Sequence, residues 1–111
     1  GRRCVALGAN ASLATAWAND EFYQNVFARE LLQLQRPGDR LICLSCSGTS
    51  ANISQALDDA HAAGIPYALV TSRVYTGAGA LLRVPSTDYG VIEDVFGALG
   101  HLLTKELQCS R

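Results

Sequence analysis

The chain has 111 residues, 49% of them hydrophobic and 17% charged, and its 9 basic and 10 acidic side chains leave a formal net charge of −1. That is too apolar and too weakly charged for a disordered segment, and 10 Gly with 3 Pro exclude a collagen-like or low-complexity chain, so one globular domain is expected. Charges of both signs are interspersed and no apolar run approaches the ~20 residues of a membrane span, so direct nucleic-acid binding and membrane insertion are not expected, and the chain reads as cytoplasmic.

In chain order, residues 4–7 (CVAL) form a short apolar run closed by Gly8 and are expected to be a strand. Residues 20–35 are expected to be helical, with Tyr23, Val26, Phe27, Leu31 and Leu34 on one face and Asn19, Asp20 and Glu21 as candidate caps. Arg36-Pro37-Gly38-Asp39 ends that helix. Residues 40–45 (RLICLS) are a continuous apolar strand of the kind buried on both faces of a parallel sheet. After a glycine-containing turn, residues 51–63 place Ile53, Ala56, Leu57 and Ala60 at helical spacing, and Gly64-Ile65-Pro66 ends the helix. Residues 66–71 (PYALVT) and 81–84 read as strands on either side of a loop whose Gly77-Ala78-Gly79 marks a turn, and residues 89–108 read as a long helix. Strands alternating with helices at this spacing indicate right-handed βαβ units, hence an α/β fold with three α/β/α layers and a parallel sheet.

Four cysteines do not follow the spacing of a secreted disulfide scaffold, and reduced thiols are expected. Cys43 and Cys46 form a C-x-x-C, but a zinc or redox site needs a second ligand pair or a helix starting at the first Cys; on an alternating strand the two side chains point to opposite faces.

The most informative stretch is residues 45–50, Ser45-Cys46-Ser47-Gly48-Thr49-Ser50, leaving a buried strand and entering a helix. A loop at the carboxyl end of a parallel strand opens into the crevice where α/β folds bind ligands, and the next helix presents unpaired N–H groups and the positive end of its dipole. Hydroxyls at Ser45, Ser47, Thr49 and Ser50 complete a cradle suited to a phosphate monoester; the alternative is an ordinary polar turn with Ser50 as helix cap. No G-x-x-x-x-G-K-[ST] is present, so nucleoside triphosphate hydrolysis is not indicated.

Ordered blocks of the chain resemble the sugar isomerase (SIS) domain family, in its phosphoheptose isomerase branch: ATAWAND at 14–20 followed by Val26-Phe27-Ala28-Arg29, then Arg36-Pro37-Gly38-Asp39, the 45–50 loop with Ala51-Asn52-Ile53, Arg83-Val84-Pro85-Ser86, and Ile92-Glu93-Asp94-Val95 leading to His101. The resemblance implies a flavodoxin-like parallel sheet and isomerisation of sedoheptulose 7-phosphate to a heptose 7-phosphate, a step toward lipopolysaccharide heptose, in a homotetramer. It implies Ser45, Ser47 and Ser50 on the phosphate with a backbone N–H at Cys46, Asp20 at the sugar, and His101 as the catalytic histidine. It also implies Glu93 beside the substrate or, with His101, on a zinc ion. This chain departs from the pattern at Cys46 (usually Thr), Glu93 (usually Gln, and repulsive to an anionic substrate) and Phe96 (often His).

The family's sheet has five strands in the order 2-1-3-4-5, and the runs at Cys4, Arg40, Pro66 and Leu81 resemble strands 2 to 5. Its first strand, its glycine- and serine-rich phosphate turn and the helix bearing its catalytic Glu have no matching position here. Residues 1–111 are therefore expected to be a single SIS domain lacking its N-terminal part, with a gap beside the 40–45 strand and no turnover alone. A non-catalytic SIS module that binds a sugar phosphate, or a protein such as a replication initiator, is the competing reading, favoured by Cys46, Glu93 and Phe96. At 100° per residue, His101 lies about 180° from a core stripe of Ile92, Val95, Leu99, Leu102 and Leu103, on a face open either to solvent or to a subunit boundary approached closely at Gly97 and Gly100. His61, without a partner at ligand spacing, reads as a surface residue.

Overall fold

The computed structural model describes residues 3–109. Strands β1 (Leu41–Leu44), β2 (Tyr67–Thr71) and β3 (Ala80–Arg83) form one parallel sheet in that order, with Leu41 opposite Tyr67 and Ala68 opposite Ala80. The helices are α1 (Ala11–Asp20), α2 (Val26–Leu34) after a 3₁₀ turn at Tyr23–Asn25, α3 (Ala51–Ala62) and α4 (Tyr89–Cys109).

Because side chains alternate along a strand, the sheet divides the core in two. Leu41, Cys43 and Leu69 face Leu31 of α2 and Leu57 and Ala60 of α3. Val70 faces the other way, against Val84 and Ile92, with Val95, Phe96 and Leu99 of α4 packed beside them. Leu69 and Val70 are consecutive and both buried, so β2 is covered on both faces, and the three-layer α/β/α expectation holds. α3 ends in a Schellman turn: Ile65 N–H reaches the Ala60 carbonyl at 2.8 Å, and Gly64 takes φ +70.

Three expectations are corrected. Residues 4–7 are not a strand: Gly8 N–H donates to the buried Glu30 carboxylate at 2.7 Å, and Arg3 donates to the Leu34 carbonyl at 3.0 Å and to Asp39 at 2.9 Å, so side-chain anchors on α2 and the turn after it hold this segment instead of a ladder. Among the described residues no strand pairs with the outer edge of β1.

The 20–35 helix is really two elements. Asp20 ends α1, whose start is capped by Asn10 Oδ1 accepting from Leu13 N–H at 3.2 Å. The chain turns at Glu21, whose carboxylate accepts from Asn25 at 2.8 Å and Arg29 at 2.9 Å; the Arg29 hydrogen bond holds it below the usual carboxylate range. Tyr23 lies exposed in the 3₁₀ turn, and α2 turns Val26, Ala28 and Leu31 inward.

β1, finally, is buried on one face only. Leu41 and Cys43 are covered by α2 and α3, whereas Ile42 is 47% and Leu44 45% exposed, since α4 sits over Val70 and Val84.

Ile92 is the single fully buried side chain on α4. Leu102, expected on the core stripe of α4, lies past the last contact with the sheet and is 61% exposed, so Ile92→Ala is expected to cost about 2–5 kcal/mol, whereas Leu102→Ala should stay within about 0.5 kcal/mol. Urea unfolding midpoints at constant m-value measure both.

Candidate functional site

The chain leaves the sheet after Leu44, and Ser45 N–H continues the ladder to the Val70 carbonyl at 3.0 Å. The exit loop is then fixed at several points. The Cys46 carbonyl accepts from Ser72 N–H at 3.2 Å, Ser72 Oγ at 2.8 Å and Thr71 Oγ1 at 3.2 Å. Ser45 Oγ accepts from Gly48 N–H at 3.1 Å and Ser47 Oγ from Thr49 N–H at 3.3 Å. A hydroxyl that accepts keeps its own proton, so both serines remain able to donate to a ligand. Gly48 has φ +65, and a Cβ there would lie 2.6 Å from Thr71 Oγ1, so the curl of the loop against β2 requires glycine.

Ser50 occupies the N-cap position of α3 with φ −65 and ψ 135, but its hydroxyl makes no capping bond. Its carbonyl accepts from Ile53 and Ser54 N–H, both at 3.0 Å. The N–H groups of Ala51 and Asn52 have no acceptor among the described residues. The Ser50 capping bond of the polar-turn reading is not made, while the Ser45 and Ser47 hydroxyls do make turn bonds to Gly48 and Thr49 N–H. The helix start presents two open amides, a positive dipole end and hydroxyls at Ser45, Ser47 and Ser50.

Beside the loop lies a cavity of about 630 Å³ at the carboxyl ends of β2 and β3, with Ser47, Ser72, Arg73, Arg83, Ser86 and Thr87 in its wall. Arg83 Nε donates to the Ser72 carbonyl at 3.1 Å. Sequence reasoning quoted Arg83 and Ser86 without a role and passed over Ser72, Arg73 and Thr87. The signal that finds them is that exits of adjacent parallel strands share one crevice. The start of α4 differs from that of α3, because Asp88 Oδ1 already accepts from Gly90 N–H at 2.8 Å and Val91 N–H at 3.4 Å.

The remaining expected residues make no hydrogen bond to the loop and do not line the cavity beside it. Asp20 is exposed at the carboxyl end of α1, so it caps no helix start. Glu93 and His101 are both exposed on α4. Eight residues separate them, about 12 Å along the axis and about 80° around it, whereas zinc draws its ligands to ~2 Å of one centre. Glu93 and His101 of this chain do not by themselves fit a zinc ion, and among the described residues there is no group of three His, Cys, Asp or Glu side chains suited to a metal. A Cβ at Gly97 or Gly100 would meet nothing, so the close approach expected there is not made within the chain. His61 is exposed, as expected.

The cysteines are free thiols. Cys43 packs under α2 and α3 and Cys46 beside Val70 and Ile92, on opposite sides of the sheet; burial pushes the Cys43 thiol up to about 11, the opposite of a redox-active cysteine.

No family model matches the chain. It is 37% identical over 106 residues to the phosphoheptose isomerase of Rhodospirillum rubrum, covering 89% of this chain and 55% of that protein. To the phosphoheptose isomerase of Maridesulfovibrio salexigens it is 38% identical over 105 residues, covering 88% and 50%. Among solved structures, phosphoheptose isomerase GmhA from Neisseria gonorrhoeae matches with a TM-score of 0.80 at 31% identity, over 88% of this chain and 58% of that one. A phosphoheptose isomerase from Francisella tularensis matches with a TM-score of 0.80 at 26% identity, over 89% and 58%. The chain thus spans about half the length of the curated relatives it matches, and its α/β fold matches the corresponding part of these isomerase structures. Among the described residues no helix is long and apolar enough to cross a membrane.

Gly48→Ala is expected to destabilise the chain by about 1–3 kcal/mol, from its left-handed φ and the contact with Thr71 Oγ1. Thr71→Ser keeps the hydroxyl and should cost less. Thermal unfolding of the two variants measures the difference, and an unchanged Gly48→Ala would mean that the loop is not seated on β2.

Proposed function

We propose that this chain is the phosphate-binding part of an aldose–ketose isomerase acting on sedoheptulose 7-phosphate, and that the 45–50 loop holds the phosphate. The observation that carries this reading is the pair of open amides at Ala51 and Asn52 set beside the Ser45, Ser47 and Ser50 hydroxyls. Similarity to phosphoheptose isomerases over 88–89% of the chain supports the substrate class. Isomerisation moves a proton between adjacent carbons through an enediol while the two oxygens exchange protons, which calls for acid/base groups over the sugar. His101 is the side chain of this sequence assigned that role, with Asp20 at the sugar and Glu93 on the substrate side of α4.

A second reading, an SIS module that binds sugar phosphate without turning it over, is favoured by a specific observation. None of His101, Glu93 and Asp20 lines the cavity beside the loop, and no hydrogen bond among the described residues joins them to the loop. In the isomerase reading these groups meet the loop of another copy, in a cytoplasmic homo-oligomer such as a tetramer. Exposed Phe22, Tyr23 and Leu102 offer apolar contact for it. Residues 1–111 alone are expected to bind substrate without isomerising it, because the family's catalytic Glu has no matching position in this sequence.

Calorimetric titration of the chain is expected to detect saturable binding of sedoheptulose 7-phosphate and none of unphosphorylated sedoheptulose. A parallel assay should detect no aldose product, and sedimentation at micromolar concentration should find species heavier than 11.8 kDa. Equal affinity for the two sugars would refute the phosphate loop; measurable turnover by the chain would refute the need for a Glu that this sequence does not carry.

A further inference from the structure

The 45–50 loop contributes only neutral donors, whereas a phosphate monoester above pH ~6 is a dianion. The charge that answers it comes from elsewhere in the chain. Arg73 and Arg83 stand in the wall of the cavity that also contains Ser47, and none of the residues lining that cavity is acidic. The ion pairs among the described residues are Arg3 with Asp39 and Arg29 with Glu21, so neither cavity arginine is neutralised by a carboxylate.

Arg83 is held in place by a bond to a residue that holds the loop. Ser72 anchors to the Cys46 carbonyl through its N–H and its hydroxyl, and its own carbonyl accepts from Arg83 Nε. That bond uses one donor of the guanidinium and leaves its two terminal nitrogens for a ligand. Arg73 sits between two anchored residues: Ser72 on one side and, on the other, Tyr75, whose hydroxyl pairs with Tyr67 at 2.8 Å. Arg73 thus follows an anchored residue directly, and its side chain is exposed.

We infer that Arg73 and Arg83 are the charge-recognising half of the phosphate site, selecting the dianion of a sugar phosphate seated against the 45–50 loop. The inference rests on the reading of that loop as a phosphate site. Planar guanidinium groups suit the role, since their forked donors match phosphate oxygens and their charge persists at every working pH.

The test is calorimetric titration of the whole chain with sedoheptulose 7-phosphate and with inorganic phosphate, at pH 5.5 and 7.5, for wild type, Arg73→Gln, Arg83→Gln and Arg83→Lys. For wild type, affinity should rise with pH as the dianion forms. Each Gln variant should bind about 10-fold or more weakly at pH 7.5 and show a flatter pH dependence, and Arg83→Lys, which keeps the charge and loses the fork, should fall between wild type and Arg83→Gln. Gln variants that bind as tightly as a binding-competent wild type would overturn the inference and leave the loop reading standing. Arg83→Lys as weak as Arg83→Gln would assign Arg83 to holding Ser72 and overturn its charge role. A wild type that binds neither phosphate would overturn both readings. Arg73 makes no hydrogen bond or ion pair among the described residues, so Arg73→Gln tests charge without disturbing the fold.

Discussion

The acceptor around which the site is organised is the carbonyl oxygen of Cys46, one residue after the loop leaves the sheet. Two residues of the next strand's exit, Thr71 and Ser72, direct three donors at it. Each such bond contributes only about 1 kcal/mol net, but Thr71 is 1% exposed, so leaving its hydroxyl unpaired would add a desolvation cost of similar or larger size. With the carbonyl fixed, Gly48 is pressed against Thr71 and the chain has to turn into α3 there. The aim of the α3 amides is thus set by a bond that none of them makes.

The same anchor extends toward β3. Ser72 uses its N–H and hydroxyl on Cys46 and offers its carbonyl to Arg83, so the exits of all three strands are joined by consecutive hydrogen bonds. Below them, Leu69 and Val70 bury β2 from both sides and give these exits a rigid base. The chain carries a net charge of only −1, yet two cations line the cavity and one of them, Arg83, belongs to this network. Net charge bounds long-range steering and says nothing of a field confined to one cavity.

What the sequence revealed and what it hid follow from the range of the interactions involved. Apolar runs such as LICL and YALVT, closed by glycine and proline, carry their strand identity locally, and the loop announces its role by its place between strand and helix. His101 was correctly placed off the core stripe because helix rotation is a local quantity. α1 escaped notice because ASLATAWAND has no apolar stripe, and the helix buries no residue. CVAL looked like a strand by composition, but Glu30 and Asp39, 22 and 36 residues from their partners Gly8 and Arg3, hold that segment away from the sheet. The arginines lie beyond the strand that separates them from the loop, and only the parallel pairing of β1, β2 and β3 brings them to the same crevice.

The most direct test of the loop as a phosphate site is a backbone amide chemical-shift titration of the chain with sedoheptulose 7-phosphate. The amides of residues 47–52 are expected to move together and saturate, with the largest shifts at Ala51 and Asn52, while those of the 4–7 segment, remote from the strand exits, stay still. Saturable binding that leaves the amides of residues 47–52 unmoved would contradict the account, because the phosphate would then be held somewhere other than the start of α3.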